Sequence, residues 1–310
     1  MGLLSSDDLL DDEILEELQP FITEWTVEAG DTITLPISGN GTCDFTVNYG
    51  DGSDAVKVTS KNDENRIHTY TTAGTYIVTI KGQCQQFDFG SVNISKDKIS
   101  KIVQWGVFCN YYSFSRCSNL KGKIPSPSKN SFKNVTNFDL LFKDCILLEG
   151  PIPNNLFYNC PNAKRIGYVY QRGCFDGCTS LTGSIPEDLF KNCTEIYSLV
   201  GTFDSCTGLT GNIPKNLFVN CTKITTLGNK WNRGLFRGCT GLTGSIPSEL
   251  FINCNNITNF DSAFSGCKNL TGEAPDLWNR TNVTSSVRCF TGIKFSNYNQ
   301  IPSSWGGGGT

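Results

Sequence analysis

The sequence predicts a mainly β fold with short helical turns: an antiparallel sandwich over residues 21–95, then a repeat solenoid over residues 96–305. Two observations carry this. Between Trp25 and Ile80, short runs alternate apolar and polar side chains and are parted by Gly, Asn and Asp clusters, the period-2 signature of half-buried strands. From Phe114 onward a Phe-x-x-Cys motif recurs at near-regular spacing, the mark of stacked units. At 310 residues the chain has room for both.

Residues 1–20, MGLLSSDDLLDDEILEELQP, read as an acidic amphipathic helix. Ser5 or Ser6 caps its start, acidic residues crowd its positive end, and Pro20 stops it. Leu9, Leu10, Ile14 and Leu18 form its apolar stripe. A helix this short is marginal alone, so the stripe is expected to dock, either on the following domain or as an anchor in a partner protein. Met1-Gly2 with Ser6 also fits a loose N-myristoylation pattern, but the acidic flanks oppose membrane binding.

Strands are expected at Trp25 to Val27, Thr32 to Leu35, Phe45 to Val47, Val56 to Val58 and Tyr76 to Ile80. In Val47-Asn48-Tyr49-Gly50-Asp51-Gly52-Ser53, the glycines permit positive φ and Asp51 bonds backbone amides within the turn. This stretch, with His68-Thr69-Tyr70 and Ala73-Gly74-Thr75-Tyr76 read as a last hairpin, resembles PKD-like domains. The resemblance implies an Ig-like β-sandwich. Asp44, Asp51 and Asp54 also admit a calcium reading, but turn chemistry explains them with less. His68 reads as a packed hairpin residue, with no Ser or Cys neighbour to mark a nucleophile.

Phe114, Phe142, Phe175, Phe203, Phe236 and Phe264 each precede a cysteine by three, at steps of 28, 33, 28, 33 and 28 residues. A second Phe-x-Asn-Cys series runs through Phe157, Phe190, Phe218 and Phe251. Between the two lies Leu-Thr-Gly-x-Ile-Pro, as at Leu181 to Pro186, Leu209 to Pro214 and Leu242 to Pro247. Its Leu and Ile point inward, its Gly lets neighbouring coils approach, and its Pro closes the strand. Asp-Leu-Phe or Asn-Leu-Phe then starts a helical turn. This region resembles BspA-like leucine-rich repeats, although its 28- and 33-residue units are longer, and a strand forms either once or twice per unit. The longer units carry outward loops, Asn159 to Gly173 and Gly228 to Leu235. Ile301 and Trp305 are expected to cap the last coil, with residues 306–310 a flexible glycine tail.

Fifteen cysteines, an odd count with no C-x-x-C pair, and a single histidine give poor metal spacing, so no metal site is expected. At ladder positions thiols serve as small buried apolar residues, and Val135 stands where one repeat would place Cys, so reduced thiols are expected. The Asn-x-Ser/Thr sites at Asn134, Asn192, Asn220, Asn256 and Asn269 read as backbone-bonding positions rather than glycosylation sites.

A net charge of -3 and a pI near 5.3 leave nothing to neutralise nucleic-acid phosphates, and no apolar run suits membrane insertion. With no phosphate loop or paired catalytic motif, the expectation is a non-enzyme without cofactors. Solenoids present extended binding faces, and Tyr168, Tyr170, Arg172, Trp231 and Arg233 in the long loops are the candidate ligand contacts, with packing between coils the equal alternative for Tyr168 and Trp231. The resemblances imply either a bacterial surface adhesin or a virion protein of a phage of gut bacteria. Reduced thiols, no visible secretory signal and the anchor-like residues 1–20 favour the virion, with the chain made in a host cytoplasm, bound to virion proteins through its N-terminal helix and exposing its repeats to a host-surface protein or glycan. A cell-surface adhesin of a bacterium or protist and an intracellular scaffold are the alternatives, and a homo-oligomer fits the symmetry usual in virion fibres and decorations.

Overall fold

The structure is a computed structural model describing residues 19–92, 94–168, 170 and 172–309. It is mainly β, with 3-10 turns of three residues at Glu64–Arg66, Tyr298–Gln300 and Ser303–Trp305 and no α-helix among the described residues. The expected helix of residues 1–20, with Leu9, Leu10, Ile14 and Leu18, lies outside the described residues apart from Gln19 and Pro20. No described element answers to a helical anchor, so the partnership with virion proteins through an N-terminal helix is withdrawn.

The first strands are β1 (Phe21–Val27), β2 (Thr32–Thr34), β3 (Ile37–Ser38), β4 (Asp44–Asn48), β5 (Val56–Val58), β6 (Ile67–Thr69) and β7 (Gly74–Asp88). In β1 and β4 every second residue is buried, which places Phe21, Trp25, Val27, Phe45 and Val47 in the core. Thr23, buried between them, accepts from the Trp25 indole N–H at 2.8 Å. The long β7 runs antiparallel to β1 and β4 with its first half and pairs with β3 in its second. Residues His68 to Tyr70 do not hairpin onto β7; β6 pairs with β2 instead. His68 stacks on Tyr49 at 4.2 Å and its Nε2 lies 2.7 Å from Asp51, whose carboxyl the Ser53 hydroxyl and then His68 hold down to about 2 against its partial burial.

The sheet does not stop near residue 95. β8 (Ile99–Gln104) pairs with β1, and β9 (Cys109–Ser113) runs parallel to β7. Phe21, Phe87, Trp105, Phe108, Tyr112 and Phe114 fill the space this creates, and Trp105 and Phe114 contact Phe142 at 6.2 and 6.1 Å. One buried cluster therefore runs from the first strands into the repeats.

The remaining strands are two or three residues long: β10 (Arg165–Gly167), β11 (Ser198–Leu199), β12 (Gly211–Asn212), β13 (Gly228–Asn229), β14 (Arg233–Gly234) and β15 (Leu242–Thr243). Together with single bridges they form two parallel rows per unit. One joins Gly122 to Leu148, Gly150 to Leu181, Gly183 to Leu209, β12 to β15, and Gly244 to Leu270. The other joins Asn137, Arg165, Ser198, Thr226, Asn259 and Ser285 in succession. In the Leu-Thr-Gly motif the glycine serves conformation throughout and close approach in places: at Gly183, φ 76°, a Cβ would meet its nearest atom at 3.4 Å, whereas at Gly244, φ 73°, it would meet the Asn212 side chain at 2.4 Å. After the prolines, bonds such as Leu189 N–H to Pro186 C=O close hydrogen-bonded turns.

Both phenylalanine series stack. Successive centroids from Phe114 through Phe142, Phe175, Phe203, Phe236 and Phe264 to Phe290 lie 5.4–6.1 Å apart. Those from Phe157 through Phe190 and Phe218 to Phe251 lie 5.6–5.8 Å apart. Each Phe-x-x-Cys turn closes by the cysteine N–H donating to the phenylalanine carbonyl, as from Cys178 to Phe175 at 2.9 Å. The same carbonyl then accepts the thiol of the next unit: Cys206 donates to Phe175 at 3.0 Å, Cys239 to Phe203 at 2.9 Å and Cys267 to Phe236 at 2.9 Å. All fifteen cysteines are free and buried.

The stack ends at Trp305, which lies 5.9 Å from Phe290 and whose carbonyl accepts the Phe290 N–H. The glycines expected as a flexible tail fold back, with Gly307 N–H bonded to Pro302 and Gly309 N–H to Ile301. Phe203→Ala, which opens the middle of one stack, is expected to cost about 3–5 kcal/mol in denaturant unfolding. Cys206→Val, which stays apolar but loses a weak second donor to a carbonyl that keeps the Cys178 N–H, is expected to cost about 0.5–1.5 kcal/mol in the same assay.

Candidate functional site

The site grows from the row that begins at Asn137 and Arg165. At two of its rungs the chain leaves and returns in a tight hairpin: Gly167 bridges antiparallel to Gly173, and β13 pairs with β14. Their bases need glycine because the next unit's backbone passes close by. A Cβ on Gly167 would sit 2.0 Å from the Val200 carbonyl oxygen, and one on Gly228 would sit 1.6 Å from that of Asp261. The hairpins come from the two 33-residue units, so Tyr170 and Trp231 hold the same position in each, as do Arg172 and Arg233.

Their tips meet across the shorter unit between them. Tyr170 lies 5.4 Å from Tyr168 and 5.6 Å from Trp231, ring centre to ring centre. The Arg165 guanidinium sits 4.4 Å over Tyr168, and the Lys230 ammonium 5.0 Å over Trp231. Tyr170 is 74% and Trp231 51% exposed, while Tyr168 is half-buried. The result is a solvent-facing aromatic ledge with a cation at each end.

Arg172 and Arg233, expected as ligand contacts, are half-buried and paired with carboxylates below the ledge. Arg172 lies 3.4 Å from Asp176, and Arg233 and Arg237 lie 3.7 and 3.1 Å from Asp204. Arg165 approaches Asp139 at 2.8 Å without hydrogen-bond alignment. Burial pushes Asp139 up to about 6 against the pull of Arg165. Burial, with the charge of Asp204, pushes Asp176 up to about 7 despite Arg172 and Arg233. Asp204 is also raised by burial, opposed by Arg237 and Ser205.

Sequence reasoning gathered Tyr168, Tyr170, Trp231 and the two arginines but missed Arg165, Lys230 and the acids. Asp176 and Asp204 directly follow ladder phenylalanines and Asp139 follows Phe138, so aligning the units on Phe would have exposed an acid beside the core. The Asn-x-Ser/Thr asparagines Asn192, Asn220, Asn256 and Asn269 donate to carbonyls of the preceding unit at 2.7–3.0 Å. Along the Leu-Thr-Gly row an open groove of about 990 Å³ is lined by Asn212, Lys215, Ile246, Glu249 and Trp278, with a single aromatic side chain. Among the described residues no group of three ligand-type side chains is placed to hold a metal ion, and no helix is long and apolar enough to cross a membrane. Compared with known proteins, the chain matches no family model and no curated relative.

The acids set a pH dependence with a definite sign. Asp176 holds its proton to about pH 7 when folded, whereas an unfolded Asp releases it near pH 4, so stability is lost as pH rises across that window. Asp176→Asn is expected to raise the thermal midpoint at pH 8 and leave it nearly unchanged at pH 4, as followed by calorimetry. A variant less stable than the parent at pH 8 would show the ion pairs outweigh the burial cost.

Proposed function

We propose that the protein is a non-catalytic binding and display module whose repeat region, a leucine-rich-type solenoid following a PKD-like sandwich, adheres through the aromatic ledge to a cell-surface or glycan ligand. The observation that carries the reading is the meeting of Tyr168 and Tyr170 with Trp231 of a second unit, two of the three rings exposed and the set flanked by Arg165 and Lys230. Exposed aromatic rings are costly to leave in water unless something stacks on them, and rings with cations are typical of binding hot spots. The charges beneath the ledge are already paired with one another, which suits holding a surface in shape better than moving protons. Fifteen free buried thiols suit assembly in a reducing compartment, which favours the surface of a phage virion made in a host cytoplasm over a secreted adhesin.

The test is binding of the full chain to a glycan array and to intact bacterial cells. Tyr170→Ala and Trp231→Ala are each expected to weaken binding by about 2 kcal/mol, roughly thirtyfold, with an unchanged thermal midpoint because both rings are exposed. Tyr158→Ala, at an exposed ring elsewhere, is the control and should bind as the parent does. Parental binding by both ledge variants would reject the ledge as the contact surface. Immunogold labelling of particles against cell envelopes separates the virion setting from the adhesin.

A further inference from the structure

Twelve of the fifteen cysteines sit within or beside the stacked units, at most 1% exposed. Eight of them, among them Cys145, Cys193 and Cys254, donate their thiols to phenylalanine carbonyls of the preceding unit. The other three behave differently. Cys43 precedes β4, Cys84 lies in β7 and Cys109 opens β9, in parallel register with Cys84. The Cys43 and Cys84 sulfurs are 2.6 Å apart. Each keeps 4–6% exposure. Cys84 and Cys109 line a cavity of about 140 Å³ that they share with Gln83, Asn110, Asn130, Ser131 and Asn134.

We propose that Cys43, Cys84 and Cys109 form a thiol-disulfide exchange site, in which Cys84 attacks a low-molecular-weight disulfide and Cys43 resolves the adduct into a Cys43-Cys84 bond. In the first step the Cys84 thiolate displaces one thiolate from the small disulfide, leaving a mixed disulfide on Cys84. In the second, Cys43 gives up its proton and its sulfur displaces the remaining small thiolate, which leaves as a thiol. Two protein thiols are oxidised and one small disulfide is reduced to two thiols, so protons and electrons balance.

The chemistry follows from the surroundings. Sulfur attacks as the thiolate, so the nucleophile is the thiol whose charged form is best stabilised. Cys84 receives the thiol of Cys109 and then that of Cys43, which bring it down to about 6 against burial. Burial pushes Cys43 up to about 12 and Cys109 well above the usual thiol range, so both are donors to Cys84 rather than competitors for it. The ladder thiols are raised by burial as well, as at Cys178, Cys206 and Cys239. The new bond would also act on the fold. The loop before β4 is tied to β7 by polar contacts, Gly41 N–H to Gln85 at 2.6 Å and the Ser38 hydroxyl to Gln86 at 2.9 Å. A Cys43-Cys84 bond would make that attachment covalent when the protein moves from a reducing to an oxidising medium.

The experiment uses the native full chain and 2-hydroxyethyl disulfide, followed by alkylation in denaturant and peptide mass spectrometry. The expected product has one intramolecular disulfide, joining the Cys43 and Cys84 peptides, with the other thirteen thiols alkylated. Its rate should fall as pH drops through about 6, following the Cys84 thiolate. Cys43→Ala should accumulate the mixed disulfide on Cys84, and Cys109→Ala should slow the first step. No oxidation of the native chain, a bond between Cys84 and Cys109, or a bond among the repeat cysteines would each overturn the assignment. The parent chain alone decides between these outcomes, so the test survives a variant that fails to fold.

Discussion

Each ladder phenylalanine is buried, and its carbonyl oxygen brings two lone pairs into an interior without water. The turn fills one through the amide of its own cysteine; the thiol of the following unit fills the other at about 3 Å along the longer series. That second bond works beside the backbone bonds between units, such as Phe175 N–H to Thr202 and Phe203 N–H to Leu235, and together they hold the register in which the rings stack 5.4–6.1 Å apart. A sulfur is apt for the position because it packs as an apolar atom yet donates, whereas valine packs without donating.

The ledge is a by-product of the same register. The rows hold Gly167 and Gly228 where the following unit's backbone leaves no space for a side chain, so the five extra residues of each longer unit are forced outward as hairpins. The acids beneath then hold Arg172 and Arg233 against the body of the repeats and leave the rings uppermost. Burying Asp139, Asp176 and Asp204 beside the core costs stability at neutral pH, which their raised proton affinities record.

How much of this could be read from the sequence varied with how local the signal was. Phe-x-x-Cys and Leu-Thr-Gly-x-Ile-Pro recur at fixed offsets, and the strands from Trp25 to Ile80 alternate plainly, so the mainly β class was legible. The sequence left open whether strands form once or twice per unit, because two-residue strands carry no periodicity; the structure has bridges at two places. Ile99 to Gln104 and Cys109 to Ser113 follow the apparent domain boundary, yet pair with β1 and β7, a long-range choice that no local pattern encodes. Tyr170 and Trp231 were picked by residue type, but their contact needs the superposition of alternate units. Likewise Cys43, Cys84 and Cys109 looked like three more buried thiols until strand pairing brought them together.

The alternation of unit lengths has a consequence for how such an array lengthens. Duplicating one short and one long unit together would add a hairpin in line with the existing two and extend the row of rings by one member. Duplicating a short unit alone would place two flat rungs between neighbouring hairpins and break the ring contact, although the core would stack as before. The heritable module of the surface is therefore the pair of units, whereas the module of the core is the single unit, and a change in length that the core tolerates can still erase the surface.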